Sequence, residues 1–327
     1  MFSVVNKQPP MRLVSRVLVV FLLAGALSGC AVRSPQQDSV PIWNHPLVKS
    51  PETNTILRTN PPESLDPSSA VNYLAGADVV FVGEQHTHPG SHRVQLRILK
   101  DLHEQQGSVG IGFELFRKSD QNLLSAWSGN AINFRTLRDQ LDASDSEKAL
   151  LDAYRPILKY ARSNDLPIRA LKPDRESVQP IRDRSHRENG SSSRSSEEAT
   201  VSYRQQKTFL KAMFEEHVPT GRGFGTFLAV QRFWEKRMAS NIHSFLTESQ
   251  TPDRMLVLTG NYHVAHDFGI PAKLRRQGSW VSRSVITLPT DRDLRSFLDF
   301  PGRTDEIHSR LADLIWWVEP RQQASKT

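Results

Sequence analysis

Four short apolar runs, separated by stretches of helical spacing, constrain this chain more than any other feature. The first, Asp78-Val79-Val80-Phe81-Val82, is nearly continuous and closes on Gly83. A strand with one wet face alternates apolar and polar residues, so an unbroken run predicts a strand covered on both faces, as in a parallel sheet. Helical spacing follows, with Val94, Ile98 and Leu102 four apart and Leu99 on the same side. Residues 108–113 read as a second strand. A long helix is predicted over 146–163, with Leu150, Tyr154, Ile157 and Ala161 on one stripe and Pro156 as a kink or a helix start. Residues 167–171 read as a third strand and 255–258 as a fourth. Between them Phe227, Val230, Trp234, Met238, Ile242 and Phe245 form an amphipathic stripe. Residues 281–288 and 313–318 read as late strands. This alternation predicts an α/β protein, a three-layer fold with a mostly parallel central sheet flanked by helices.

One stretch breaks the pattern. Residues 182–200, RDRSHRENGSSSRSSEEAT, hold too little apolar surface to build a core. They are expected to be mobile and dispensable for folding, within a partly helical insertion at about 180–220. Tyr203, Phe209, Met213 and Phe214 mark the helix after the polar run.

The N-terminus reads as an address. Lys7, Arg12 and Arg16 precede an apolar run over 17–27, too short to span a bilayer comfortably. Leu27-Ser28-Gly29-Cys30 follows and resembles a bacterial lipobox. That resemblance implies a signal peptide over 1–29, cleavage before Cys30 and acylation of Cys30, with Ala31 favouring the outer membrane of a Gram-negative cell. Cys30 is the single cysteine, so intramolecular disulfides and Cys-rich metal sites are excluded. Residues 30–70 hold seven of the 20 prolines and no hydrophobic periodicity, so they are expected to form an extended tether. The folded domain is expected over 71–318, with a tail at 319–327. The formal net charge is +7, and three of the basic residues lie in the leader, which leaves no case for nucleic-acid binding.

Chemistry collects where the predicted strands end. The first ends in Gly83-Glu84-Gln85-His86-Thr87-His88, with His92 beyond; the second in Gly112-Phe113-Glu114; the fourth in Gly260-Asn261-Tyr262-His263, with His266 and Asp267 beyond. In a parallel sheet these ends share one edge, where ligands bind. Glu84, His86, Glu114 and His263 are therefore expected to converge, either as ligands for a divalent metal or as acid and base. Plainer roles compete. Glu84 is suited to capping the next helix, His88 and His92 to a solvated surface, and His266 with Asp267 to a helix face.

The segments GEQHTHPGSHRVQLRIL, GFELF, YRPILKYARSNDLPIRALKP, FLAVQRFWEKRMASNI and LTGNYHVAHDFGIP occur in an order that resembles ChaN-type haem-binding lipoproteins of the Tiki, TraB and erythromycin-esterase-like superfamily. The resemblance covers roughly 74–278 and carries the family motif onto Gly83, Glu84, His86, Glu114, Gly260 and His263. It implies a lipid-anchored protein of bacterial iron acquisition that binds haem through a tyrosine, with paired haems at a homodimer interface and an outer-membrane haem receptor as partner. The candidate axial residues are Tyr203 and Tyr262. No Cys-x-x-Cys-His is present, so covalent c-type attachment is excluded. Some superfamily relatives are hydrolases. On that alternative, Glu84 and His263 activate water, and His86, Glu114 and His263 hold a divalent metal.

Overall fold

A computed structural model of the protein describes residue 42 and residues 45–187, 201–217, 223–248, 251–292, 294 and 311–320. Cys30, Trp43, the leader and the centre of the polar insertion lie outside the described residues. The elements run α1 (Pro46–Lys49), β1 (Ile56–Thr59), β2 (Pro62–Leu65), α2 (Pro67–Leu74), β3 (Val79–Glu84), α3 (Pro89–Gln106), β4 (Gly110–Arg117), α4 (Gln121–Ser128), α5 (Phe134–Gln140), α6 (Asp145–Ser163), β5 (Ile168–Lys172), α7 (Arg175–Arg187), α8 (Val201–His217), α9 (Phe224–Thr247), β6 (Met255–Gly260), α10 (Ile270–Arg275), β7 (Ser282–Pro289) and β8 (Leu314–Val318).

Among the described residues the strands form one sheet in the order β2-β1-β8-β7-β3-β6-β4-β5. From β8 to β5 every pairing is parallel, and β1 joins β8 and β2 antiparallel. The apolar runs are buried on both faces. Val80, Val82, Ile111, Phe113, Leu256 and Leu258 pack into one core with α2 to α6. Their neighbours Val79, Phe81, Met255 and Val257 pack into a second core with α8, α9 and α10. The result is three layers.

Chain order places the site. The chain moves outward from β3 to β4 and β5, then turns back. It inserts β6 between β3 and β4 and lays β7 on the other side of β3. Such reversals open a crevice at the carboxyl ends of the strands. The β3–β6 register runs to Glu84 opposite Gly260. The β4–β5 pairing shifts between Phe113 and Arg117, a bulge of the kind that re-aims side chains beside a site.

Three expectations are refined. The tether is shorter than 30–70, because β1, β2 and the start of α2 belong to the domain, and Ile56, Leu57, Thr59 and Ala70 are buried. A strand added at a sheet edge needs only a few apolar residues on backbone hydrogen bonds, so composition concealed it. The helix expected after the polar run is present, and helix also reaches into the first residues of the expected mobile stretch. α8 buries Phe209, Leu210 and Met213 against the second core, and α7 runs through Arg187. Residues 188–200, the centre of the expected mobile stretch, lie outside the described residues. Finally, Pro156 sits inside α6 without ending it. That helix starts on a capping box, Ser144 Oγ accepting from Glu147 N and Glu147 Oε2 accepting from Ser144 N.

Candidate functional site

β3 delivers Glu84 to the edge with its carboxylate fully buried. Oε1 accepts from His86 Nδ1 at 2.9 Å, and Oε2 from Gln95 Nε2 at 2.8 Å. His92 Nδ1 lies 3.4 Å from Oε2 and 3.1 Å from Gln95 Oε1, because residues 92 and 95 stand one turn apart on α3. The His92 ring meets Tyr154 of α6 edge-on, with centroids 4.8 Å apart. Burial and the Glu84 charge push the Tyr154 phenol well above its ordinary pKa. Glu84 thus joins β3 to the two helices above it.

A second network starts on β4. Glu114 Oε2 accepts from Thr259 Oγ1 at 2.5 Å and from Gly260 N at 2.8 Å. Its Oε1 lies 3.3 Å from His263 Nε2, in the turn after β6. The other ring nitrogen of His263, Nδ1, lies 3.4 Å from Glu235 Oε1 on α9. Glu235 Oε2 accepts from Lys273 Nζ of α10 at 2.7 Å and from Gln206 Nε2 of α8 at 2.8 Å. Acid, imidazole, acid and ammonium alternate in one buried line, and their charges cancel. Burial by itself would discharge His263, but Glu114 and Glu235 outweigh it and hold the imidazolium to a pKa of about 10. Burial opposes the ionised form of Glu114 too, yet the charge of His263 keeps that carboxyl well below its usual range. Glu235 is likewise lowered against its burial, chiefly by Lys273.

The two networks meet at Gly260. A Cβ there would stand 3.4 Å from His86 Cε1 and 3.8 Å from Glu114 Oε2. His86 is the exposed member, with its side chain 57% accessible. Burial of its ring lowers its pKa, but its hydrogen bond to Glu84 and the charge of Glu114 raise it overall. Gly83 is needed for packing, since a Cβ would overlap Asn261 Oδ1 in the second histidine turn.

Glu84, His86, Glu114, Gly260 and His263 therefore meet at one place on the sheet edge. Other expectations fail. His88 is buried rather than solvated, and its Nδ1 caps α3 by accepting from Gly90 N. His92 is buried as well, drawn in by Glu84. Glu84 is not the cap, because that place is taken by His88. His266 and Asp267 form no regular helix face: both have positive φ, 55° and 63°, and His266 stacks on Phe268. The metal reading of His86, Glu114 and His263 also loses ground. Among the described residues no three His, Cys, Asp or Glu side chains are placed to hold a metal ion. His263 already directs both ring nitrogens at carboxylates.

Tyr203 and Tyr262 stand on other elements. Tyr203 is half-buried on α8, with the Arg232 guanidinium 3.7 Å from its ring centroid. Tyr262 is half-buried in the turn after β6, edge-on to Phe209, and its hydroxyl lies 3.4 Å from Arg292 Nη2. Sequence reading missed Glu235, Lys273 and Gln206. The signal for Glu235 was present, because it falls three before Met238 and seven before Ile242, an acid inside an apolar stripe.

A three-layer α/β sheet with a buried acid–histidine–acid line at its reversal point defines the class. Residues 70–274 match the family described as haem-binding uptake, Tiki superfamily, ChaN, and the chain belongs to that family. The fold is similar to that of ChaN of Campylobacter jejuni, in a structure described as showing cofacial haem binding. Identity is 18%, the TM-score is 0.60, and the match covers 80% of this chain and 95% of that one. A structure from Bacillus cereus matches with a TM-score of 0.47 at 14% identity, over 84% of this chain and 96% of that one. No curated protein matches the sequence.

Proposed function

We propose that the protein binds haem non-covalently in bacterial iron uptake, as a dimer held by acylated Cys30 to the outer membrane of a Gram-negative cell. An outer-membrane haem receptor is the partner. Membership of the haem-uptake family supports haem as the ligand. In this chain the reading is carried by the setting of Tyr203, a half-buried phenol beneath the Arg232 guanidinium. A phenolate is an established ligand of haem iron. The Arg232 cation lies over the face of that ring, which fixes the phenol in place. The donor chemistry fits, with Tyr203 as first axial candidate and Tyr262, beside Arg292, as second. Haem supplies the iron that is carried. Its faces are large and apolar, so two haems stacked across a dimer shield one another from water and link binding to association.

The hydrolase alternative finds less support. A general base must be unprotonated, and His263 keeps its proton between Glu114 and Glu235 at neutral pH. Glu84 is buried among three partners.

Titrating the purified protein with hemin, followed by absorbance and sedimentation, tests the proposal. The expected result is saturable binding with a tyrosine-ligated spectrum and conversion to dimer, and loss of that spectrum in Tyr203→Phe with the fold intact. If only Tyr262→Phe alters the spectrum, the ligand is Tyr262. Non-saturable uptake by the wild type overturns the proposal.

A further inference from the structure

A cavity of about 750 Å³ lies beyond the histidine site, at the carboxyl ends of β4 and β5. Arg117 closes β4 and Lys172 closes β5; Arg175 and Arg182 reach the cavity from α7, Glu147 from α6 and Trp234 from α9. Four cations therefore face one carboxylate, and that carboxylate is already occupied. Glu147 Oε1 accepts from Arg117 Nη2 at 2.7 Å, with Lys172 Nζ 3.9 Å away. Its Oε2 serves the Ser144 cap and lies 3.4 Å from Arg175 Nη2. Asp142, outside the lining and exposed, lies 3.5 Å from Arg175 Nε. Arg182 has no ion-pair partner among the described residues. Arg117 is buried, so its charge acts in a medium that screens it weakly.

The aromatic wall adds a second, independent observation. The indole N–H of Trp234 is buried and has no hydrogen-bond partner among the described residues. Lys172 Nζ sits 4.6 Å from the centroid of the Trp234 ring. The ring therefore serves the cavity as an apolar wall rather than as a donor. Ligand sites of this volume combine an apolar wall with a few convergent polar groups.

The geometry points to an anion-binding site here, for a small organic polyanion whose carboxylate or phosphate oxygens pair with Lys172, Arg175 and Arg182 and whose body lies against Trp234. This does not depend on the haem reading. Two sources share the chemistry, the carboxylates of a porphyrin and those of a separate metabolite-sized polyanion.

The test uses the purified protein, with pyrophosphate and citrate as probes at constant ionic strength. Binding is read by calorimetry and by the indole ¹⁵N–¹H resonance of Trp234, assigned through Trp234→Phe. At least one probe should bind saturably and move that resonance. Lys172→Met and Arg182→Ala should each weaken binding about tenfold or more, the second at an exposed helical position that leaves folding unaffected. Arg135→Ala on α5, with its side chain 91% exposed, should bind as wild type. Hemin added first identifies the source: competition means porphyrin carboxylates, additivity means a separate polyanion. Binding that is absent in the wild type, or equal in Arg182→Ala and wild type, overturns the assignment.

Discussion

Glu235→Gln is the sharpest probe of the buried line. The substitution keeps the shape of the side chain and removes one charge, leaving Lys273 as an uncompensated cation with its Nζ among Gln206 and the Phe268 and Gly269 carbonyls. Breaking a buried pair from one side costs about 3–5 kcal/mol. For a domain of this size, at roughly 2–4 °C per kcal/mol, that lowers Tm by about 10 °C. The loss is not the worth of the pair, because much of it is the stranded partner. Lys273→Met in the same chain should therefore recover part of it, and a double-mutant cycle should return a coupling of about 1–3 kcal/mol. The pH profile gives a second signature. Glu235 has a lowered pKa, so the stability it lends is present above the ordinary carboxylate range and is lost as pH falls through the folded value. That part of the acid limb should flatten in Glu235→Gln. Urea unfolding of the four proteins from about pH 2 to pH 8 measures both effects. Strict additivity of the two substitutions, with an unchanged acid limb, would refute the charge line.

Three further outcomes are expected. The raised pKa of His263 means that its stabilising contribution is complete below about pH 6.5 and is lost as pH rises toward about 10. Imidazole ¹⁵N shifts should show both nitrogens protonated at pH 8, and a neutral ring at that pH would contradict the geometry. Gly83→Ala should cost about 1–3 kcal/mol by crowding Asn261, whose amide donates to the Thr287 carbonyl at 3.0 Å; a melting curve identical to wild type would show that the turn yields freely. Cys30→Ala should leave an unprocessed or soluble species on fractionation, and wild-type mass in the outer-membrane fraction would remove the anchor from the proposal.

Sequence alone determined the layered α/β fold. The core strands announce themselves because burial on both faces forces consecutive apolar residues, as in Val79 to Val82, and the glycines and acids at their ends mark the edge. The histidine loops were legible for the same reason, since parallel pairing brings Glu84 and Gly260 opposite each other wherever they fall in the chain. What sequence could not decide was the partner of each polar group. His88 and His92 look like surface residues in a polar loop, yet one caps a helix and the other meets Glu84, because burial depends on which helix covers the loop. Glu235 and Lys273 are separated by 38 positions and carry no shared motif. Only the packing of α9 against α10 makes them a pair, and only the meeting of β4, α9 and the turn after β6 sets His263 between Glu114 and Glu235, whose charges hold its proton. Local residue order sets strands, turns and stripes. The charge state of the site comes from contacts between elements that the tertiary fold brings together.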